Sequence, residues 1–484
     1  MLQGSGLYSV PIVVARLLSV VLLPIYTRYL TPSDYGTLEL LDQVGSIAGI
    51  LFGYNFSSSL GYFYFQKEDS DSRQLCTATA VLSSAAIGLL VGTLGYLASS
   101  ALSRLVFGDE SAVLYLKIHL TGMGLGFLIE ALMVWLRVED RPSVFLAAAL
   151  TRVLLTAATV VPLLVFWRLR VTAVMIGNFI AAAAAVIGLA VFFLRRVPPR
   201  FDISLAARML RFAIPLIAGT GAQFILNFAD RFFIQKYQST AEVGLYGLAY
   251  KIGMLILMVY VPFYTYWSAQ VYSILKREDG QMIFARTFTY VTLILSFTAL
   301  GLLVAARPGI RVLTTPAYAA ATAIVPVIVA AYFVRSIGDF FRCLFLVANR
   351  TSLDAFCNWA GAAVCLAGYA LLIPRHGIWG AAFATLISFL FVAAMAIAWG
   401  RRLQPFWVES ARLVKIGSVF AALVTLYYLV PVPGLGAQIA WGLFILCAFP
   451  ALLWMLRFLS PKEEQAVSSV LARFTQAGMR RQVQ

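Results

Sequence analysis

The sequence predicts an all-α polytopic membrane protein with about 14 transmembrane helices. Of its 484 residues, 61% are hydrophobic and only 12% are charged, whereas soluble domains run at about 45–50% apolar and about 25% charged. A water-soluble core of that size would need an equally large polar coat, which lipid replaces. Apolar stretches near the ~20 residues needed to cross a bilayer recur from end to end, separated by short polar breaks.

In order, the expected spans are 8–30, 36–65, 74–103, 112–136, 142–166, 171–194, 207–236, 241–272, 282–306, 317–347, 352–373, 378–400, 410–430 and 435–459. The first is too long for a signal peptide and contains Arg16 and Pro24, so it reads as an uncleaved helix. Pro24, Pro215, Pro262 and Pro326 fall in or near spans and are expected to kink them. Two segments read as interfacial amphipathic helices rather than spans. One is Asp202–Phe212, with Asp202 as its cap; the other is Lys462–Arg481, with Val467, Val470, Leu471 and Phe474 at helical spacing. Cys76, Cys343, Cys357, Cys365 and Cys447 form no CxxC pair and mostly sit in apolar stretches, as buried inert thiols do.

Orientation follows from Lys and Arg. They favour the loops after even-numbered spans and the C-terminal tail by about two to one, which puts both termini in the cytoplasm. The formal charge of +16 is therefore read as a topology signal, and a nucleic-acid partner is not expected.

The two halves echo each other about 200 positions apart. Arg28 answers to Asp230–Arg231, Arg104 to Arg311, and Asp140–Arg141 to Asn349–Arg350. Each repeat would hold six helices, an even number, so the repeats are parallel, and transporters built this way bind substrate between their halves. The expected division is a six-helix lobe over 1–200, a second over 201–404, two further helices over 405–460 and an amphipathic tail over 461–484.

Four segments carry a family likeness: TRYLTPSDYGTLELL (Thr27–Leu41), FDISLAARMLRFAIPL (Phe201–Leu216), RFFIQKYQSTAEVGLYGLAYKI (Arg231–Ile252) and LIPRHGIWGAAFAT (Leu372–Thr385). With twelve helices in two lobes plus two more, the chain resembles the polysaccharide-exporter branch of the multidrug/oligosaccharidyl-lipid/polysaccharide (MOP) exporter superfamily. Within it, the closest likeness is to the Wzx-type flippases of O-antigen and other lipid-linked oligosaccharides. The resemblance implies two lobes around a central cavity. It also implies movement of an undecaprenyl-diphosphate-linked oligosaccharide, the repeat unit of a surface polysaccharide such as lipopolysaccharide, across the bacterial inner membrane. The mechanism it implies is alternating access without ATP hydrolysis, and the sequence contains no phosphate-binding loop. It is not expected to be an enzyme or to carry a cofactor; a coupling ion, Na+ or H+, is the one requirement left open. Membrane lipids and polysaccharide polymerase machinery are the other expected partners.

Charges inside spans are expensive and usually functional. Arg16 and Lys251 have no acid at helical spacing on their own helices, and the resemblance puts them in the groove between the lobes, where a diphosphate needs cationic donors. With Arg152, Arg335 and Arg342 they form the candidate substrate-binding set. Arg335, Asp339 and Arg342 share one face of span ten at i, i+4 and i+7, which also suits a structural ion-pair network. Glu39, Asp42, Asp230, Arg231 and Asp339 are the coupling or gating candidates. Glu39 and Asp42 read as the start of helix two, favoured there by its dipole, or as an ion site. Asp230–Arg231 reads as a helix-end pair near water. Gly45, Gly49 and Gly53 make a small-residue stripe for close packing. Tyr260, Phe263, Tyr264, Tyr266 and Trp267 suit sugar stacking or the interfacial belt. His119 and His376 lack metal-ligand neighbours at helical spacing, so no metal site is expected. The alternatives are a lipid II flippase, a small-molecule or multidrug extruder of the same superfamily, and a membrane-embedded glycosyltransferase or polymerase.

Overall fold

The computed structural model describes Val14, residues 21–459 and Glu463, with the side chains of Tyr54 and Asn55 set aside. Arg16, the N-terminal part of the first span and, except for Glu463, the Lys462–Arg481 segment lie outside the described residues. Every regular element among the described residues is helical. In order they are α1 (21–29), α2 (Pro32–Ala48), a π-helical turn (Gly49–Gly53), α3 (Tyr54–Phe65), α4 (Ser70–Phe107), α5 (Val113–Val138), α6 (Pro142–Val165) and α7 (Arg170–Leu194). Then come α8 (Ile203–Phe228), α9 (Asp230–Tyr237), α10 (Thr240–Gly253), α11 (Ile256–Ile274), α12 (Gly280–Leu313), a 3-10 turn (Pro316–Tyr318), α13 (Ala321–Val347), α14 (Thr351–Leu403), α15 (Ser410–Leu429) and α16 (Leu435–Met455).

Ten of these are long and apolar enough to span a bilayer, and α10 with α11 makes an eleventh, bent by 47°. One of the ten, α14, is two spans run together: Gly377 interrupts it at φ 55°, ψ −135°, a region essentially reserved for glycine. The α2–π–α3 run and α1 lie at the positions of the second and first expected spans.

Three expectations need correction. Helix two begins at Pro32, because Thr31 and Asp34 form a reciprocal capping box and proline suits the first helical position. Asp34 is therefore the first-turn acid. Glu39 and Asp42 lie on later turns, beyond the reach of the N-terminal dipole. Second, Asp202–Phe212 is no separate interfacial helix. Asp202 does cap it, with Oδ1 accepting from the Ser204 hydroxyl at 2.7 Å and from the Leu205 and Ser204 amides at 3.2 and 2.8 Å, and these bonds, the hydroxyl's first, hold the carboxyl below its ordinary range. The helix then runs straight through Pro215, since Leu205, Met209 and Ala213 pack into the buried cluster around Trp135. Third, the bend in span eight falls at Met254–Leu255, ahead of Pro262, which stays inside α11.

The chain groups into two compact units. The first comprises 1–251, 310–328 and 352–392. One of its cores is built from α3, α4, α5, α7 and α8 around the fully buried Trp135, and another from α2, α5, α6 and α7 around Leu41, Leu116 and Val160. The second unit comprises 252–309, 329–351 and 393–484. There α12, α15 and α16 pack through Leu300, Ile416, Ile445 and Phe449. Trp267, Phe284, Phe288, Phe340, Phe341 and Phe406 form a continuous ring cluster. Tyr260 and Trp267 are buried, which makes them core, while Tyr266 is exposed.

Repeat stations recur as local geometry. Asp140 and Asn349 both adopt left-handed backbone (φ 51° and 55°), a conformation these two residue types tolerate. In each case the following arginine amide closes the turn, Arg141 on Leu136 O at 2.9 Å and Arg350 on Phe345 O at 2.7 Å. Arg104 and Arg311 both sit in the last turn of their helices, where a cation complements the dipole.

Candidate functional site

Three of the four segments that carry the family likeness converge within the first unit. The Thr27–Leu41 segment supplies most of the contacts. The Thr27 hydroxyl donates to Leu313 O at 3.0 Å, and Tyr318 of the 3-10 turn donates to Leu30 O at 3.0 Å. Arg170, the first residue of α7, donates to Asp34 through Nε and Nη2 at 2.9 and 2.6 Å and to the Thr31 hydroxyl at 3.2 Å. The α1–α2 turn is thus pinned on two sides. Below it, α2 and α10 cross at Gly36 and Gly244 with their backbones in contact. Gln238, at the end of α9, reaches Ile373 O at 3.4 Å and lies against Gly377, joining the Leu372–Thr385 segment to the same end.

At the inner edge of this crossing Lys251 of α10 reaches back to α2. Its Nζ is 2.5 Å from Glu39 Oε1 and donates to the Tyr35 hydroxyl at 2.8 Å, with the ammonium 4.6 Å from the Tyr35 ring centroid. The two partners differ in access: the Lys251 side chain is 55% exposed and that of Glu39 only 6%. Lys251 and Asp42 are both accessible. Asp42 makes no ion pair among the described residues.

Behind Glu39 lies a second pair. Asp230 and Arg231 are completely buried, joined by Arg231 Nη1 to Asp230 Oδ1 at 2.7 Å. Tyr246 donates to Asp230 Oδ2 at 2.7 Å, Arg231 donates to Asn227 O at 2.8 Å, and its guanidinium lies 4.1 Å from the Tyr250 ring centroid. The expectation of a pair near water is therefore wrong, because α10 tyrosines enclose it. Removing one partner of such a pair typically costs about 3–5 kcal/mol. Its field extends to Glu39, so four alternating charges, Lys251, Glu39, Arg231 and Asp230, run through the contact between α2, α9 and α10.

The remaining candidates lie elsewhere. Arg152 is exposed on α6, which buries little but Val160 and Leu164, and it forms no ion pair among the described residues. Arg335, Asp339 and Arg342 form a part-buried network in the second unit, at 3.6 and 2.8 Å, as their spacing predicts. No group of three or more metal-ligating side chains occurs among the described residues. Sequence reasoning missed Tyr35, Tyr246, Gly36, Gly244 and the Arg170–Asp34 clamp, although all but Arg170 lie inside the likeness segments or the turn they form.

The same fold occurs in solved transporters. The chain superimposes with a TM-score of 0.75 on a lipid II flippase MurJ in an inward closed conformation, at 13% identity over 94% of this chain and 100% of that one. A multidrug resistance MATE family transporter of the MOP superfamily, inward-facing, gives a TM-score of 0.65 at 15% identity over 82% and 94%. A MOP superfamily transporter from Pyrococcus furiosus gives 0.56 at 14% over 83% and 95%. No curated protein sequence matches. The chain shares the fold of these solved proteins, and its long apolar helices are those of a multi-pass membrane protein. Residues 1–267 match the profile of the polysaccharide biosynthesis protein family, and the chain belongs to that family.

Proposed function

We propose that the protein flips an undecaprenyl-diphosphate-linked oligosaccharide, the repeat unit of an O-antigen or other surface polysaccharide, from the inner to the outer leaflet of a bacterial inner membrane. The observation that carries this reading is Lys251, an exposed cation next to the α2–α10 crossing and the pinned α1–α2 turn. A diphosphate head group needs such a donor, and the family's association with polysaccharide biosynthesis supplies the glycan. Lobes at 1–200 and 201–404 would rock about the site in alternating access, with both termini cytoplasmic and Arg16 as a further head-group contact. Glu39 and Asp42 are the coupling candidates for H+ or Na+.

Lipid II presents the same polyprenyl diphosphate, so a lipid II flippase differs from this reading only in the sugar carried. An extruder of small cations is the second reading, favoured by Asp42, an accessible acid without an ion-pair partner among the described residues. Deletion of the gene followed by leaflet-resolved fractionation of lipid-linked glycans separates the three. Accumulation of a complete polysaccharide repeat unit on the cytoplasmic side is the expected result, and accumulation of lipid II points to the second substrate. Unchanged glycan lipids with small toxic cations retained in the cell overturn the flippase reading.

A further inference from the structure

We propose that Glu39 stands in for the substrate's phosphate. In the empty transporter it occupies Lys251, and an arriving diphosphate exchanges for it, releasing α2 from α10. The proposal rests on the reading of the substrate as a polyprenyl diphosphate.

The asymmetry of the pair is the starting point. Lys251 is reachable and Glu39 is not. The carboxylate lies in a slot against α10, where a Cβ on Gly247 would fall 2.8 Å from Glu39 Cγ. An ammonium has three N–H donors; two of them point to Glu39 and Tyr35. The third is the entry point for a phosphate oxygen, so exchange proceeds without a bare intermediate. The four-carbon stem of lysine turns without a fixed geometry to break, and a diphosphate outbids a single carboxylate in charge.

Once Lys251 turns to the substrate, Glu39 remains in a buried slot with no cation bonded to it. Arg231 acts on it only through space and is already committed to Asp230. An uncompensated buried carboxylate is strongly unfavourable, and it is relieved when water enters between α2 and α10. The slot lies one turn below the Gly36–Gly244 crossing and beside Tyr35, whose ring meets Tyr318 edge-on at 6.1 Å. Loss of the pair therefore loosens the elements that hold this end together.

The test uses the full-length protein in nanodiscs, spin-labelled at Ser33→Cys and Ser239→Cys, both exposed, with Cys447 replaced. Undecaprenyl diphosphate should lengthen the 33–239 distance. Glu39→Gln should lengthen it without lipid and bind the lipid at least roughly tenfold more tightly, the scale on which buried charge pairs compete. Lys251→Arg, which keeps the pair, should retain the short distance and control for folding. A Glu39→Gln distance equal to wild type overturns the latch. Lipid that binds wild type without moving the labels overturns the exchange while leaving the substrate reading intact. If the lipid fails to bind either protein, the substrate reading falls and takes the exchange with it.

Discussion

Gly36 of α2 and Gly244 of α10 meet backbone to backbone. A Cβ on Gly36 would fall 1.8 Å from Thr240 O, and one on Gly244 would fall 2.0 Å from Pro32 O. Neither helix can accept a side chain there without moving. Gly36→Val or Gly244→Val should lower the melting temperature in detergent, with a loss of at least about 1–3 kcal/mol from overpacking. Gly126→Ala, with nothing within 4 Å of its Cβ, is the control and should be neutral or slightly stabilising.

The Asp230–Arg231 pair should behave as a unit. Arg231→Met alone leaves a buried aspartate and should destabilise by about 3–5 kcal/mol. The double variant Asp230→Asn/Arg231→Met removes both charges and should recover most of that loss. Thermal unfolding of the two variants side by side is the measurement, and equal destabilisation would show that the pair is not coupled.

Asp202 gives a pH signature. Its folded carboxyl is held below its ordinary value by the Ser204 hydroxyl and by the Leu205 and Ser204 amides. The stability it contributes is therefore fully present above the unfolded value near pH ~3.9 and lost as pH falls through the folded one. Asp202→Ala should lower the melting temperature by the same amount from about pH 5 to about pH 8. The difference from wild type should shrink below about pH 4.

Topology is tested by cysteines at Arg200 and Lys276, in the α7–α8 and α11–α12 connections, with Cys447 replaced. A membrane-impermeant maleimide should label both from the cytoplasmic side and neither from the periplasmic side. Periplasmic labelling at either position would invert the orientation.

Much of this architecture is legible in the sequence because lipid imposes one rule on every span, and apolar length reports it. The Arg335–Asp339–Arg342 network is equally legible, since its spacing lies within one helix. The partner of Lys251 is harder to read. Glu39 is more than two hundred positions away, and its pairing depends on a helix crossing that no local pattern encodes. Burial of Asp230 is hidden for the same reason, because its enclosure comes from Tyr246 and Tyr250 on the next helix. Arg170 reaches Asp34 from a residue with φ 49°, and nothing in its type announces that backbone.

The π turn at Gly49–Gly53 has a consequence for the whole second span. Eight residues of α-helix overshoot two full turns by ~80°, so Gly45 and Gly53 would ordinarily point to different neighbours. Both instead meet α5 on successive turns, Gly45 against His119 and Met123 and Gly53 against Phe127. A turn closed over five residues rather than four winds more slowly and brings the two glycines back into line. One inserted peptide thus acts as a phase corrector: it keeps α5 on one side of the span along its length while Gly36 and Glu39 face α10 on another. Excising a single residue between Gly49 and Gly53 would leave every apolar segment as long as before, yet turn those two allegiances out of step.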